Sequence, residues 1–165
     1  MSGTYTELAI RIKDELVDID RSVEKALKSW LLAKSTEDNR DIYLDSVALN
    51  LHSFYSGIER IFELIVRHVD GVEIKKRETW HRELLRKASK EVGEVRPAVI
   101  GRQTSDVLDE FRRFRHLVRN VYAANLDLKK MSVLLDELPD LWPKLRDELQ
   151  AFGNFLKELA LENDK

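Results

Sequence analysis

The sequence predicts an all-α protein, an antiparallel bundle of about five to six helices in which the first two are long. Three observations carry this reading. Only six glycines and three prolines occur in 165 residues, so turns are few and uninterrupted segments are expected. Leu, Glu, Lys, Arg and Ala, all strong helix formers, are abundant. Apolar residues return at steps of three and four through most of the chain, the period of one buried helix face.

Over residues 4–35 the stripe is Leu8, Ile12, Leu16, Ile19, Val23, Leu27 and Trp30. Thr36-Glu37-Asp38-Asn39 follows as a turn holding N-cap candidates. A second helix is expected over residues 40–69, with Leu44, Val47, Leu51, Phe54, Ile58, Ile61, Ile65 and Val69 inward and Tyr55 and Phe62 widening the face. Ser56-Gly57 in its middle lets a neighbouring helix approach closely, and Asp70-Gly71 ends it. A shorter helix is expected at residues 79–92, with Trp80, Leu84, Leu85 and Ala88 inward. Residues 93–103 read as a loop. A fourth helix spans residues 104–123, started by Thr104, Ser105 or Asp106. Asp127 caps a fifth at residues 128–138, and Pro139, suited to the first turn, opens a last helix reaching residue 162.

At about 150 residues per domain, the chain is expected to form one helical domain, residues 1–165. The absence of cysteine excludes disulfide scaffolds, thiolate zinc sites and thiol nucleophiles. Charged residues make up 35% and apolar residues 43%, a balance suited neither to a disordered chain nor to a membrane protein. No apolar run is long enough to span a bilayer, and no secretory leader opens the chain, so the expectation is a cytoplasmic protein. With 28 basic against 30 acidic residues the net charge is −2, so any nucleic-acid partner must be met by local clustering.

Such a cluster lies in the fourth helix, Val-Leu-Asp-Glu-Phe-Arg-Arg-Phe-Arg-His-Leu-Val-Arg-Asn-Val-Tyr, residues 107–122. Val107, Phe111, Phe114, Val118 and Val121 form its apolar stripe. Tyr122, Arg115, Arg119, Arg112, His116 and Asn120 then follow one another over an arc of roughly 160° at 100° per residue. Four arginines fall within the eight residues from Arg112 to Arg119. One reading is a solvated basic face balanced by acids on other helices. The other is a phosphate site, because guanidinium groups bind phosphate bidentately and an imidazole exchanges protons near neutral pH.

The run Phe114-Arg115-His116-Leu117-Val118-Arg119-Asn120-Val121-Tyr122 resembles the signature helix of the HEPN superfamily, specifically the HepT-like ribonuclease toxins, in which an arginine, a polar residue and a few apolar residues precede His-x-Tyr. Tyr43-Leu44-Asp45-Ser46 leading to Phe54-Tyr55-Ser56-Gly57-Ile58-Glu59, then Trp80-His81-Arg82-Glu83-Leu84-Leu85 and Asn125-Leu126-Asp127, are similar to the same chains. The resemblance covers roughly residues 40–160. It implies a metal-independent endoribonuclease of a toxin–antitoxin pair, working as a homodimer with two signature helices lining one cleft. It also implies a minimal nucleotidyltransferase antitoxin that transfers AMP to the motif tyrosine. Carried over by position, Arg115, His116 and Asn120 are the catalytic candidates, Arg112 and Arg119 the RNA-binding ones, and Tyr122 the modified residue. No cofactor or metal is expected. Asn120 stands where the family has its histidine, and an amide is neither acid nor base near neutral pH. Three readings stay open: His116 supplies the imidazole, the site binds RNA and cleaves poorly, or the chain is an inactive form. The alternative function is a non-catalytic module binding the nucleotidyltransferase or RNA.

Elsewhere, His52 reads as an interhelical hydrogen bonder, and His81 as a structural residue or part of the cleft lining. Glu59-Arg60 reads either as an internal ion pair positioning the signature helix or as a plain surface pair.

Overall fold

A computed structural model of the chain describes residues 2–120 and 128–165, with the backbone alone for residues 2 and 116–120. Among the described residues there are five helices and no strand: α1 (Ser2–Ser35), α2 (Arg40–His68), α3 (Trp80–Ala88), α4 (Arg102–Asn120) and α5 (Leu128–Asn163). α1 and α2 form a long antiparallel hairpin, fixed by Ser29 against Ser46, Gly57 against Ile19 and Arg60 against Glu15. α5 runs back along α1, while α3 and α4 pack on the other side of α2. Phe54 of α2 is fully buried and meets Phe111 of α4 at 5.4 Å and Trp142 of α5 at 6.0 Å, both edge to face, so one ring joins three helices.

The expected stripes of α1 and α2 are where the sequence places them. Leu8, Ile12, Leu16, Ile19 and Val23 are buried against Val47, Leu51, Phe54, Ile58, Ile61 and Ile65. The close approach at Gly57 is real: a Cβ there would stand 2.6 Å from Ile19 Cγ1. Asn39 takes the N-cap position of α2 in a left-handed conformation, φ 60°, without a side-chain cap. Beyond α2, Gly71 adopts φ +67°, and the Val72 amide closes on the Val66 carbonyl.

Three local expectations are corrected. First, residues 128–138 and the segment after Pro139 are one helix, α5, with Pro139 and Pro143 inside it. Leu134, Leu138, Leu141, Trp142, Leu145 and Leu149 continue one buried stripe through both prolines. The prolines lie on the exposed face, so their rings displace no core contact and burial of the stripe outweighs the break. Second, α3 stops at Ala88 rather than residue 92, because the chain folds back there. Val99 and Ile100 amides bond the Ala88 carbonyl. Third, the start of α4 is held from outside: the carboxylate of Glu148 on α5 accepts the Gly101 amide at 2.8 Å and the Thr104 hydroxyl at 2.6 Å. A negative group at a helix N-terminus satisfies unpaired amides and opposes the dipole. The proposed cap Asp127 lies outside the described residues.

The segment read as a loop contains a buried clamp. The Arg96 guanidinium is fully enclosed. It donates to both Asp70 carboxylate oxygens at 2.6 and 2.8 Å and to the carbonyls of Lys87, Lys90 and Pro97. Every oxygen it meets is an acceptor, which is what a buried guanidinium requires. The clamp ties the end of α2 to the end of α3 and so fixes α3 beside the middle of α2.

Candidate functional site

The buried side of α4 is Thr104, Leu108, Phe111 and Phe114, with Val107 only half-buried. Phe111 and Phe114 of the expected stripe are thus buried, Leu108 takes the place of Val107, and the Val118 side chain and Val121 lie outside the described residues. This packing divides the arginine arc. Arg115 and Arg112 are equally buried, Arg115 meeting α2 and α3 and Arg112 pairing with Asp109 of its own helix, whereas Arg113 faces solvent.

Three side chains from two other helices receive Arg115. Ser56 and Glu59 lie one turn apart on α2, and His81 is in the first turn of α3. Arg115 Nε points at Ser56 Oγ at 3.4 Å, and Nη1 stands 3.4 Å from Glu59 Oε1. Nη1 is also 2.9 Å from Nε2 and 3.0 Å from Nδ1 of His81. His81 Nδ1 is 2.6 Å from Glu59 Oε2. Arg115 Nη1 is almost equally far from both ring nitrogens, so it lies against the ring and not along either nitrogen's in-plane lone pair; the Glu59 contact assigns the ring, with Nδ1 donating its proton to Glu59 Oε2. The His81 ring lies against Trp80 at 3.8 Å between centroids, and the Lys76 ammonium covers the Trp80 face at 5.3 Å. Glu59 is the deepest member, its side chain 5% exposed, against 17% for Arg115 and 19% for His81.

Burial sets the electrostatics. Desolvation pushes the Glu59 carboxyl up from its ordinary 4.5 to about 7, although Arg115 and then Arg112 pull it the other way. Desolvation also pushes the buried Tyr55 hydroxyl well above its ordinary range, with the nearby Glu59 charge adding to it. At Asp109, burial raises the carboxyl, but hydrogen bonds and charge from Arg112 and Arg113 outweigh it and hold the group low. Asp109 accepts from Arg112 at 2.7 Å and pairs with Arg113 at 3.0 Å. The solvated-face reading thus holds for Arg113, with balancing acid from its own helix. It does not hold for Arg115.

Of the sequence candidates, the structure gathers Arg112 and Arg115 on adjacent turns. The side chains of His116, Arg119 and Asn120 lie outside the described residues, as does Tyr122 altogether. The Glu59-Arg60 pair is corrected: Glu59 meets Arg115, whereas Arg60 reaches Glu15 on α1 at 3.2 Å. Sequence reasoning passed over Ser56 as a polar group of the site. The signal was present, because Ser56 and Glu59 are polar residues at a three-residue step inside the otherwise apolar run Phe54 to Phe62. Among the described residues no group of three His, Asp or Glu side chains is placed to hold a metal ion. No helix among them is long and apolar enough to cross a membrane.

The fold and the site together define a helical bundle whose inward arginine is gripped by a buried carboxylate and an imidazole. A family model described as HepT-like protein matches residues 46–156, a span that holds all of these groups. The chain belongs to the HepT-like proteins of the HEPN superfamily. No curated protein and no solved structure matches it.

Proposed function

We propose that this protein is the toxin of a toxin–antitoxin pair, a metal-independent endoribonuclease that acts as a homodimer in the cytoplasm. Two copies of α4 face each other across a basic cleft, which doubles the arginines available to one phosphate in a chain of near-zero net charge. Arg115 holds the scissile phosphate, and Arg112 and Arg119 follow the RNA backbone. His116 and Asn120 complete the catalytic set. The cognate minimal nucleotidyltransferase silences the cleft by transferring AMP to Tyr122, placing phosphates over the arginines. The supporting observation is the grip of Ser56, Glu59 and His81 on the Arg115 guanidinium, since a side chain held in one geometry binds an incoming phosphate with little further loss of entropy.

Purified protein incubated with RNA in EDTA should yield 2′,3′-cyclic phosphate ends. Arg115→Ala and the milder Arg115→Lys should abolish or strongly slow cleavage while keeping the helical circular-dichroism spectrum. A monomer by sedimentation at micromolar concentration refutes the dimer. Incubation with the partner, ATP and Mg²⁺ should add AMP to the peptide holding Tyr122, and Tyr122→Phe should remove the label. Asn120, which does not titrate, favours a second reading, a non-catalytic module binding the nucleotidyltransferase or RNA. Co-purification of a complex with no RNA cleavage by either Asn120 or Asn120→His protein would establish it.

A further inference from the structure

The endoribonuclease reading needs a group that moves a proton; Asn120 is not one, and the side chain of His116, the other candidate on the signature helix, lies outside the described residues. We propose that His81, contributed by α3 and oriented by Glu59, is the proton-transferring residue of this cleft. The inference rests on the endoribonuclease reading and adds a catalytic residue from outside the signature helix.

Four features of the geometry point to it. The imidazole is beside the guanidinium that would take the phosphate, with Nε2 2.9 Å from Arg115 Nη1. A phosphate oxygen bound by Arg115 is therefore one further hydrogen bond, about 3 Å, from the ring. The other ring nitrogen is anchored on a carboxylate at 2.6 Å, the arrangement that fixes a histidine tautomer and stabilises the imidazolium once it forms. The ring cannot turn away, because Trp80 lies against it and the Arg96–Asp70 clamp holds the end of α3 to α2. Finally, the exposures are graded as the chemistry requires: the orienting carboxylate is enclosed, and the imidazole still reaches solvent.

The charged groups around the pair are Arg115 and Arg112 from α4, Glu63 from its own helix and Lys76 from the connection before α3. Positive charge predominates among them, which suits a site that receives a phosphodiester. At rest, the Arg115 guanidinium lies against the His81 ring, and Nδ1 donates to Glu59, which makes Nε2 the basic nitrogen. A phosphodiester held by that guanidinium brings its 2′-hydroxyl to this nitrogen. Nε2 then takes the 2′-hydroxyl proton while O2′ bonds to phosphorus. The P–O5′ bond breaks, the departing 5′ oxygen takes a proton from solvent, and the imidazolium returns its own proton to solvent. One proton is taken and one returned, and no metal or water is consumed in the step. Glu59 balances the positive charge of the transient imidazolium and is a positioning residue.

The test is RNA cleavage by the full chain, with kcat and KM measured across pH. His81→Asn keeps an amide that hydrogen-bonds Glu59. It should lower kcat by about 10²–10⁴-fold, the usual contribution of a general base, with KM changed by no more than about threefold, and it should lose the acidic limb of the pH profile. Glu59→Gln should keep that limb and lower kcat by about tenfold, because the imidazolium that forms loses its charged partner. This second variant keeps the proposal exposed should His81→Asn fail to fold. If His81→Asn retains kcat while Arg115→Lys loses it, proton transfer belongs to another group and the inference falls with the ribonuclease reading intact. An unchanged kcat in Glu59→Gln, or cleavage that appears only in Asn120→His, also overturns it. No cleavage by the wild-type or the Asn120→His protein overturns both readings.

Discussion

Replacing Glu59 by Gln should stabilise this protein, and by more as the pH rises. The carboxyl is buried, its side chain 5% exposed, and its proton affinity is raised from the ordinary 4.5 to about 7. At about 1.4 kcal/mol for each tenfold change in proton affinity, keeping Glu59 ionised in the folded state costs about 3 kcal/mol. The native state holds more protons than the unfolded chain between about pH 4.5 and pH 7, so stability falls as pH rises through that window and is level above it. Glutamine has the shape of the protonated acid and no charge to desolvate, while its oxygen still accepts from His81 Nδ1. The advantage of Glu59→Gln over wild type should therefore grow from near zero at about pH 4.5 to at most about 3 kcal/mol above pH 7. Replacing a carboxylate acceptor with an amide reduces that by about 1 kcal/mol. Urea denaturation followed by circular dichroism at several pH values measures it. A difference that is flat with pH, or one that turns against the variant as pH rises, would show that Arg115 stabilises the carboxylate more than burial penalises it. The same substitution is expected to impair proton transfer, so stability and activity should move in opposite directions, as they do where a strained charge is kept for function.

Arg96→Met should cost about 3–5 kcal/mol in chemical denaturation, because it leaves the Asp70 carboxylate buried without its partner; a loss below about 1 kcal/mol would show the clamp to be dispensable. Gly57→Ala should destabilise by about 1–3 kcal/mol through overpacking against Ile19 Cγ1, and Ile19→Ala, which removes that atom, should cost less in the Gly57→Ala background than alone; equal costs would place the strain elsewhere. Pro139→Ala, on the exposed face of α5, should raise the melting temperature, with a gain of up to about 3 kcal/mol, since it restores a helical hydrogen bond and touches no core contact; a loss would show that the proline shapes the helix to fit α1.

The helical class and the faces of α1 and α2 were legible in the sequence because local information suffices for them. Few helix breakers and a three/four apolar step dictate an amphipathic helix whatever it packs against. The arginine run on α4 was legible for the same reason, and so was its likeness to the HepT-like signature. What a helix does with its borderline positions is another matter. The pattern of α4 allowed either Val107 or Leu108 to face inward, and packing on Phe54 chose Leu108, which carried Arg115 into the interior. Pro139 was read as a helix start from its own chemistry, whereas burial of the stripe from Leu134 to Leu149 on either side of it decided for continuity.

The sequence by itself determined the helices, the arginine cluster and the family, since each depends on residues near one another along the chain. Only the tertiary structure decided which charges meet. Glu59 and Arg60 are adjacent in sequence but separate onto Arg115 and Glu15, because neighbouring residues on a helix point about 100° apart. Asp70 and Arg96, like Glu148 and the start of α4, are partners through space across 26 and 47 residues. His81 read from sequence as a structural residue or part of the cleft lining, and only the fold set it between Glu59 and Arg115. Side-chain charges act over a few ångströms through space, and distance along the chain does not report that separation.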